Sequence, residues 1–210
     1  EKFKVLRKVK NFLKIRTSYD KYYGYIKNKK FANKIKPTHK VKVLKSKIYK
    51  SNNYLPFSSE IQILKRKKNY VMFKKNQWIK QKDITFINQK EKKFAKIFKS
   101  YVGCKYKWGG KTHKGIDCSA LVQIFYKFNN KFFPRDTVDQ IKFKKGIVKK
   151  KKFELGDVIF WKGHVAVCLN SRHLIHAYGP RKKVVIMPIK KTINIIEKTA
   201  NLNVKKIFKI

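Results

Sequence analysis

The feature that most constrains this chain is a change in its hydrophobic period near residue 90. Before that point the apolar residues come in short runs that alternate with polar ones or are β-branched. Phe3-Lys4-Val5-Leu6, Phe12-Leu13-Lys14-Ile15 and Tyr23-Gly24-Tyr25-Ile26 come first, and Pro37 follows as a break. Val41-Lys42-Val43-Leu44, Glu60 to Leu64, Tyr70 to Phe73 and Gln77-Trp78-Ile79-Lys80 come next, divided by Ser51-Asn52-Asn53 and Lys74-Lys75-Asn76. Runs this short at this spacing predict strands of small all-β barrels. After residue 90 the period lengthens. Phe94, Ile97, Phe98 and Tyr101 recur at helical spacing and predict a helix over Glu91 to Val102. A second helix is expected from Asp117 or Cys118 to about Phe128. Strands are then expected over Asp157 to Trp161, His164 to Leu169, Leu174 to Tyr178, Val184 to Pro188 and Val204 to Ile210. A helix followed by strands makes the second part α+β. The expected divisions are 1–35, 36–89 and 90–210.

Charge is extreme, with 56 Lys and Arg against 11 Asp and Glu, a net of +45. A surface like this adheres to polyanions. The cations are nearly all lysine and run from end to end. A nucleic-acid reader would cluster them and favour arginine for bidentate contacts. Specific nucleic-acid recognition is therefore not expected. No stretch approaches the roughly 18 apolar residues of a membrane span. The first residue is Glu rather than Met, which reads as a fragment or a processed product. Cys104, Cys118 and Cys168 are odd in number and form no C-x-x-C pair, which argues against a disulfide framework and a zinc ribbon. Free thiols lean the reading towards a cytoplasmic location, with a periplasmic or cell-wall-associated one as the alternative because the start of the chain reads as incomplete.

Cys118 is the thiol in a chemically suggestive place. Asp117 is a good N-cap, and Leu121, Val122 and Phe125 would bury one helix face. Cys118 then lies in the first turn, where unpaired backbone N–H groups and the helix dipole favour a thiolate and lower the thiol pKa. A thiolate nucleophile needs a base, and the base needs an orienting group. His164 and His176 lie on two strands joined tightly. If Asn170-Ser171-Arg172 is a three-residue loop, Leu169 faces His173 and Ala166 faces His176. The two histidines are then diagonal neighbours on one face, roughly 7–8 Å apart at the backbone. An even loop without a bulge would put them on opposite faces. A zinc site built from Cys118, Cys168, His164 and His176 is the rival use of the same atoms. Cys168 lies four residues along the strand from His164, roughly 13 Å away, too far for one ion. Neither metal nor cofactor is called for.

Several blocks now combine. Tyr106-Lys107-Trp108-Gly109-Gly110, Gly115-Ile116-Asp117-Cys118-Ser119-Ala120-Leu121-Val122-Gln123, Leu155-Gly156-Asp157-Val158-Ile159-Phe160-Trp161, Gly163-His164-Val165-Ala166 and Ile175-His176-Ala177 resemble the NlpC-type cell-wall peptidases. These are circularly permuted papain-like cysteine peptidases. The resemblance covers about residues 90–210 and departs at Ala120, where the family usually has Gly. It implies that Cys118 attacks a carbonyl, His164 takes its proton and His176 orients His164. It implies that Tyr106 helps the oxyanion, although Tyr106 packing over Trp108 is the plainer alternative. Asp117, Ser119 and Trp108 would line the substrate site. Arg135-Asp136-Thr137 resembles the family's Arg-Asp-Ser, so Asp136 and Thr137 would grip a peptide amino terminus; Asp136 as a helix N-cap or a surface ion-pair partner is the alternative. Residues 38–88 resemble a bacterial SH3-like domain, and residues 1–35 the second half of another. In the family such barrels restrict the cleft to short peptides with a free L-Ala. The implied reaction is hydrolysis of the γ-D-glutamyl–diamino acid bond of peptidoglycan-derived peptides. A non-catalytic wall- or polyanion-binding protein and an acyltransferase on the same fold are the alternatives.

Overall fold

The computed structural model describes residues 2–29, 31 and 35–210. The chain divides into two compact units, Glu1–Gln89 and Lys90–Ile210. The division expected near residue 35 abuts residues 32–34, which lie outside the described residues.

Among the described residues, the first unit is built of β-strands with one short 3-10 turn at Gln81–Asp83. Strands β1 (Phe3–Val9), β2 (Phe12–Thr17) and β3 (Tyr23–Lys27) form one antiparallel sheet, with a bulge between Val5 and Arg7. Then follow β4 (His39–Val41), β5 (Lys45–Lys47), β6 (Tyr54–Pro56), β7 (Glu60–Ile61), β8 (Lys65–Lys67), β9 (Tyr70–Lys74), β10 (Gln77–Lys80) and β11 (Ile84–Phe86). They pair as β11-β4-β7, β10-β9-β8 and β5-β6 around a core of Val41, Ile48, Ile61, Val71, Ile79 and Ile84. The strand expected over Val41 to Leu44 instead ends at Val41. Beyond it the Leu44 carbonyl accepts the Phe57 N–H at 3.0 Å, so the backbone bonds there go to a different partner. Strands β5 and β6 have no strong alternation of their own, which is why the sequence pattern did not mark them.

The second unit contains α1 (Phe94–Lys99), β12 (Lys111–Thr112), β13 (Gly115–Ile116), α2 (Cys118–Phe128), α3 (Thr137–Phe143), β14 (Asp157–Trp161), β15 (His164–Cys168), β16 (His173–Tyr178), β17 (Lys183–Pro188), α4 (Ile189–Ala200) and β18 (Lys206–Lys209). The five-stranded sheet runs β17-β16-β15-β14-β18 and is antiparallel throughout. Every residue of β14 is buried, so the sheet is covered on both faces. Ile159, Ala166, Cys168, Leu174 and Met187 pack with Ile189 and Ile196 of α4, while α2 packs on β15 and β16. This unit is α+β, as expected.

Helix α1 is half as long as its pattern predicts. The Asn129 side chain takes the Glu91 backbone from both sides, accepting its N–H at 2.8 Å and donating to its carbonyl at 3.2 Å. That holds Glu91 outside the helix. At the other end Gly103 turns with φ +82° and donates to the Val184 carbonyl. Helix α4 was not anticipated, although Ile189, Ile193 and Ile196 share a helical stripe and Asn201 closes it in the left-handed region. Among the described residues no helix is long and apolar enough to cross a membrane.

Candidate active site

Cys118 is the first residue of α2, and its position is set by Asp117. The Asp117 carboxylate caps the helix by accepting the Ala120 N–H at 2.8 Å. Its other oxygen accepts the Gly109 N–H at 2.8 Å, so the cap also holds the loop before β12. Gly109 sits at φ +74°, and a Cβ on Gly110 would stand 2.5 Å from the Gly115 carbonyl oxygen. Only glycine fits both demands, which is the physical content of the Trp108-Gly109-Gly110 motif.

Arg135 completes the clamp. It donates Nη2 to Asp117 Oδ2 at 2.5 Å, Nη1 to Asp117 Oδ1 at 3.0 Å, and Nη1 again to Ser119 Oγ at 2.8 Å. Ser119 Oγ donates to Asp117 Oδ1 at 3.0 Å. Arg135 is 6% exposed and Asp117 5%. A bidentate, fully desolvated pair of this kind is geometrically specific. The Gln140 amide on α3 donates to the Ser119 carbonyl at 3.0 Å and to the Pro134 carbonyl at 2.9 Å, tying α3 to the start of α2. Asp117 and Ser119 thus spend their polar atoms on the protein itself. They scaffold Cys118 rather than face outwards to a ligand.

The hairpin β15–β16 has the register that a three-residue loop requires. Val167 pairs with Ile175, Cys168 with Leu174, and the Leu169 N–H bonds the His173 carbonyl at 2.8 Å. His164 and His176 consequently share a face, and His164 Nε2 stands 2.9 Å from His176 Nδ1. The His176 ring lies flat against Tyr178, with centroids 4.5 Å apart and planes 11° apart. His164 opens β15 directly after Gly163, whose φ of +76° makes the tight turn from Trp161. The same turn brings the Gly163 carbonyl to 4.0 Å from Cys118 Sγ and the Val165 backbone N–H to the sulfur. The nucleophile candidate and the histidine strand therefore meet at one corner. Tyr106 is held there too. Its N–H bonds the Lys182 carbonyl at 2.8 Å and it bridges to Ile116, just before Asp117. Its hydroxyl pKa is raised, first by burial and then by facing Cys118 and Asp117.

The protonation states differ from what the helix start alone implies. Burial pushes the Cys118 thiol up to about 11, against the pull of the Val165, Ser119 and Cys118 N–H groups; the Asp117 carboxylate adds to the rise. Burial lowers His164, and burial followed by the neighbouring His164 lowers His176. His164 is half-buried and His176 is completely enclosed. Burial therefore favours the uncharged form of both the Cys118 thiol and the His164 imidazole. Alkylation of the resting protein by iodoacetamide at Cys118 should therefore keep quickening with pH up to about 11. Peptide mapping by mass spectrometry reads this. A rate already level between about pH 5 and 7 would mean a thiolate–imidazolium pair at rest.

Asp136 and Thr137 stand at the start of α3, both half-buried. Asp136 occupies the N-cap position, yet its side chain makes no capping bond. Trp108 is 86% exposed beside the clamped Gly109. Sequence reasoning quoted Arg135 but missed its role, and it missed Gln140, Tyr178 and Met187 entirely. Gln140 and Met187 act on partners distant in sequence, which no local pattern reports, whereas Tyr178 stacks on His176 two residues before it on the same strand.

The segment that carries this corner is similar to known proteins. Residues 103–200 match the NlpC/P60 family. The match spans the cysteine, both histidines, the Asp117–Arg135 clamp and α3. The chain is 27% identical over 195 residues to the γ-D-glutamyl-L-lysine dipeptidyl-peptidase of Bacillus subtilis, covering 82% of this chain and 65% of that one. The dipeptidyl-peptidase 6 of Lysinibacillus sphaericus is 36% identical over 78 residues, covering 37% of this chain and 29% of that one. The chain thus spans less than two thirds of the length of either curated relative. In fold, it superposes on the crystal structure of an NlpC/P60 family protein from Bacillus cereus with a TM-score of 0.74, at 21% identity, over 89% of this chain and 74% of that one.

Proposed function

We propose that this protein is a cysteine peptidase that hydrolyses the γ-D-glutamyl–diamino acid bond of short peptidoglycan-derived peptides. The observation that carries the reading is the approach of Cys118, at a capped helix start, to the Gly163 carbonyl directly before His164, whose ring is hydrogen-bonded to His176. The names of the relatives, dipeptidyl-peptidases of which one acts on a γ-D-glutamyl-L-lysine bond, support the substrate class.

In this reading His164 uses Nδ1, because its Nε2 is engaged by His176. Nδ1 takes the Cys118 proton as Sγ attacks the carbonyl carbon of the γ-linked D-glutamate. The oxyanion is met by the Cys118 backbone N–H and the Tyr106 hydroxyl. His164 returns the proton to the departing amine, leaving a thioester. Water then attacks the thioester, giving its proton to His164, and the thiol is restored. A neutral resting pair suits this sequence, since the proton moves only when a carbonyl is present to attack.

Asp136, with a carboxylate that caps nothing, is the candidate for the peptide ammonium, and Thr137 stands next to it. Trp108 offers an exposed ring to the peptide chain. The SH3-like reading of residues 1–35 and 36–89 belongs to the same proposal, supported by their short antiparallel sheets. The test is incubation with L-Ala-γ-D-Glu-diamino acid tripeptide, free or N-acetylated, followed by chromatography of the released diamino acid. Release from the free peptide is expected. Asp136→Asn should raise KM by roughly tenfold or more for the free peptide and leave the acetylated one unchanged, as for the loss of a charge-assisted bond. An intact free tripeptide would sink the reading.

A further inference from the structure

We infer that Met187 is a positioning residue: its thioether sets the proton arrangement of the histidine pair so that His164 presents a lone pair, not a proton, at Nδ1. The consequence for catalysis rests on the peptidase reading above; the proton arrangement itself does not.

His176 has two ring nitrogens with different neighbours. Nδ1 lies 2.9 Å from His164 Nε2, and Nε2 lies 3.4 Å from Met187 Sδ. A thioether accepts weakly and cannot donate. The nitrogen facing it gains an interaction only if it carries the proton. The opposite arrangement would set a nitrogen lone pair against sulfur lone pairs in a site with 0% exposure, where water cannot relieve it. His176 is therefore the Nε2–H tautomer. Its Nδ1 is then an acceptor, and His164 must donate from Nε2. That leaves the lone pair of neutral His164 at Nδ1. Among the described residues neither ring has a carboxylate hydrogen-bond partner, so the sulfur supplies the end of the chain.

The backbone builds this arrangement deliberately. Leu174 pairs with Met187 and His176 with Val185, which places Met187 one diagonal step from His176 on the same face. His164 lies one diagonal step away on the other side, by the register of β15 and β16. His164, His176 and Met187 form a slanted row across three adjacent strands. Tyr178, stacked on His176, fixes the ring plane and opposes a ring flip that would exchange its nitrogens. If the proton moved to His176 Nδ1, His164 would have to accept at Nε2 and carry its own proton at Nδ1. It could not then take the proton from Cys118.

The test reads tautomers directly. Long-range proton–nitrogen correlation spectra of the ¹⁵N-labelled full chain at neutral pH distinguish protonated from bare imidazole nitrogens. Both rings should be Nε2–H in the wild type. Met187→Leu keeps the volume and removes the acceptor; Nδ1–H signals should appear for both rings. On the tripeptide, kcat should fall by part of the roughly 10²–10⁴-fold that general-base catalysis supplies, with KM unchanged. Met187→Gln returns an acceptor oxygen and should restore the Nε2–H state and most of kcat. A wild-type His176 protonated at Nδ1 overturns the inference, as does Met187→Leu with its tautomers unchanged. If the wild type shows the expected tautomers but leaves the tripeptide intact, the proton arrangement stands and the peptidase reading falls.

Discussion

Cys118→Ala abolishes hydrolysis, with kcat expected to drop by on the order of 10⁴ or more while the fold persists. The size follows from covalent catalysis. Without the sulfur no thioester forms, and the oxyanion donors and peptide contacts supply only what binding alone can. The other thiols do not substitute. Cys168 is fully enclosed beneath α4, and burial pushes its thiol up to about 12. Cys104 lies on the turn after α1, its N–H bonded to the Tyr101 carbonyl. The replacement removes one buried atom from a side chain at the helix start, so the melting temperature should move little. Rates on the tripeptide and thermal melts measure the two halves of this expectation. Hydrolysis surviving in the alanine variant would place the nucleophile elsewhere.

Arg135→Met lowers stability by about 3–5 kcal/mol, because it strands the buried Asp117 carboxylate without its cation. For a domain of this size that corresponds to a melting temperature roughly 10 °C or more lower. The loss reaches the site as well. Asp117 holds the start of α2 and the Gly109 loop with the same two oxygens, so an unpaired carboxylate loosens Cys118 and Trp108 together. Activity should fall along with stability. Arg135→Lys keeps the charge but loses the two-pronged geometry and should lie between. A calorimetric scan of the variants decides the matter. A shift under about 2 °C would mean that the clamp contributes little.

How far the sequence could be read depends on the range of the forces involved. The start of α2 at Cys118 was legible because a cap and its helix lie within four residues of each other. The β15–β16 register was legible because loop length and the two-residue period of a strand determine it together. Both are local. The length of α1 was not legible, since Asn129 captures Glu91 from 38 residues away. The Asp117–Arg135 clamp spans 18 residues, and the His176–Met187 contact joins two strands through their register. Helix α4 carried a readable stripe that the strand pattern on either side of it overshadowed.

The thiol shows the division most sharply. The sequence by itself determined that Cys118 begins a helix, and that His164 and His176 share one face of a hairpin. Those facts predicted a thiol pulled towards its anion by the helix start. Only the tertiary structure decided that burial outweighs that pull and favours the uncharged thiol and imidazole. The helix dipole is a property of a few consecutive peptide units and is written in the chain. Desolvation depends on which distant segments close over the sulfur, and only the folded packing supplies them.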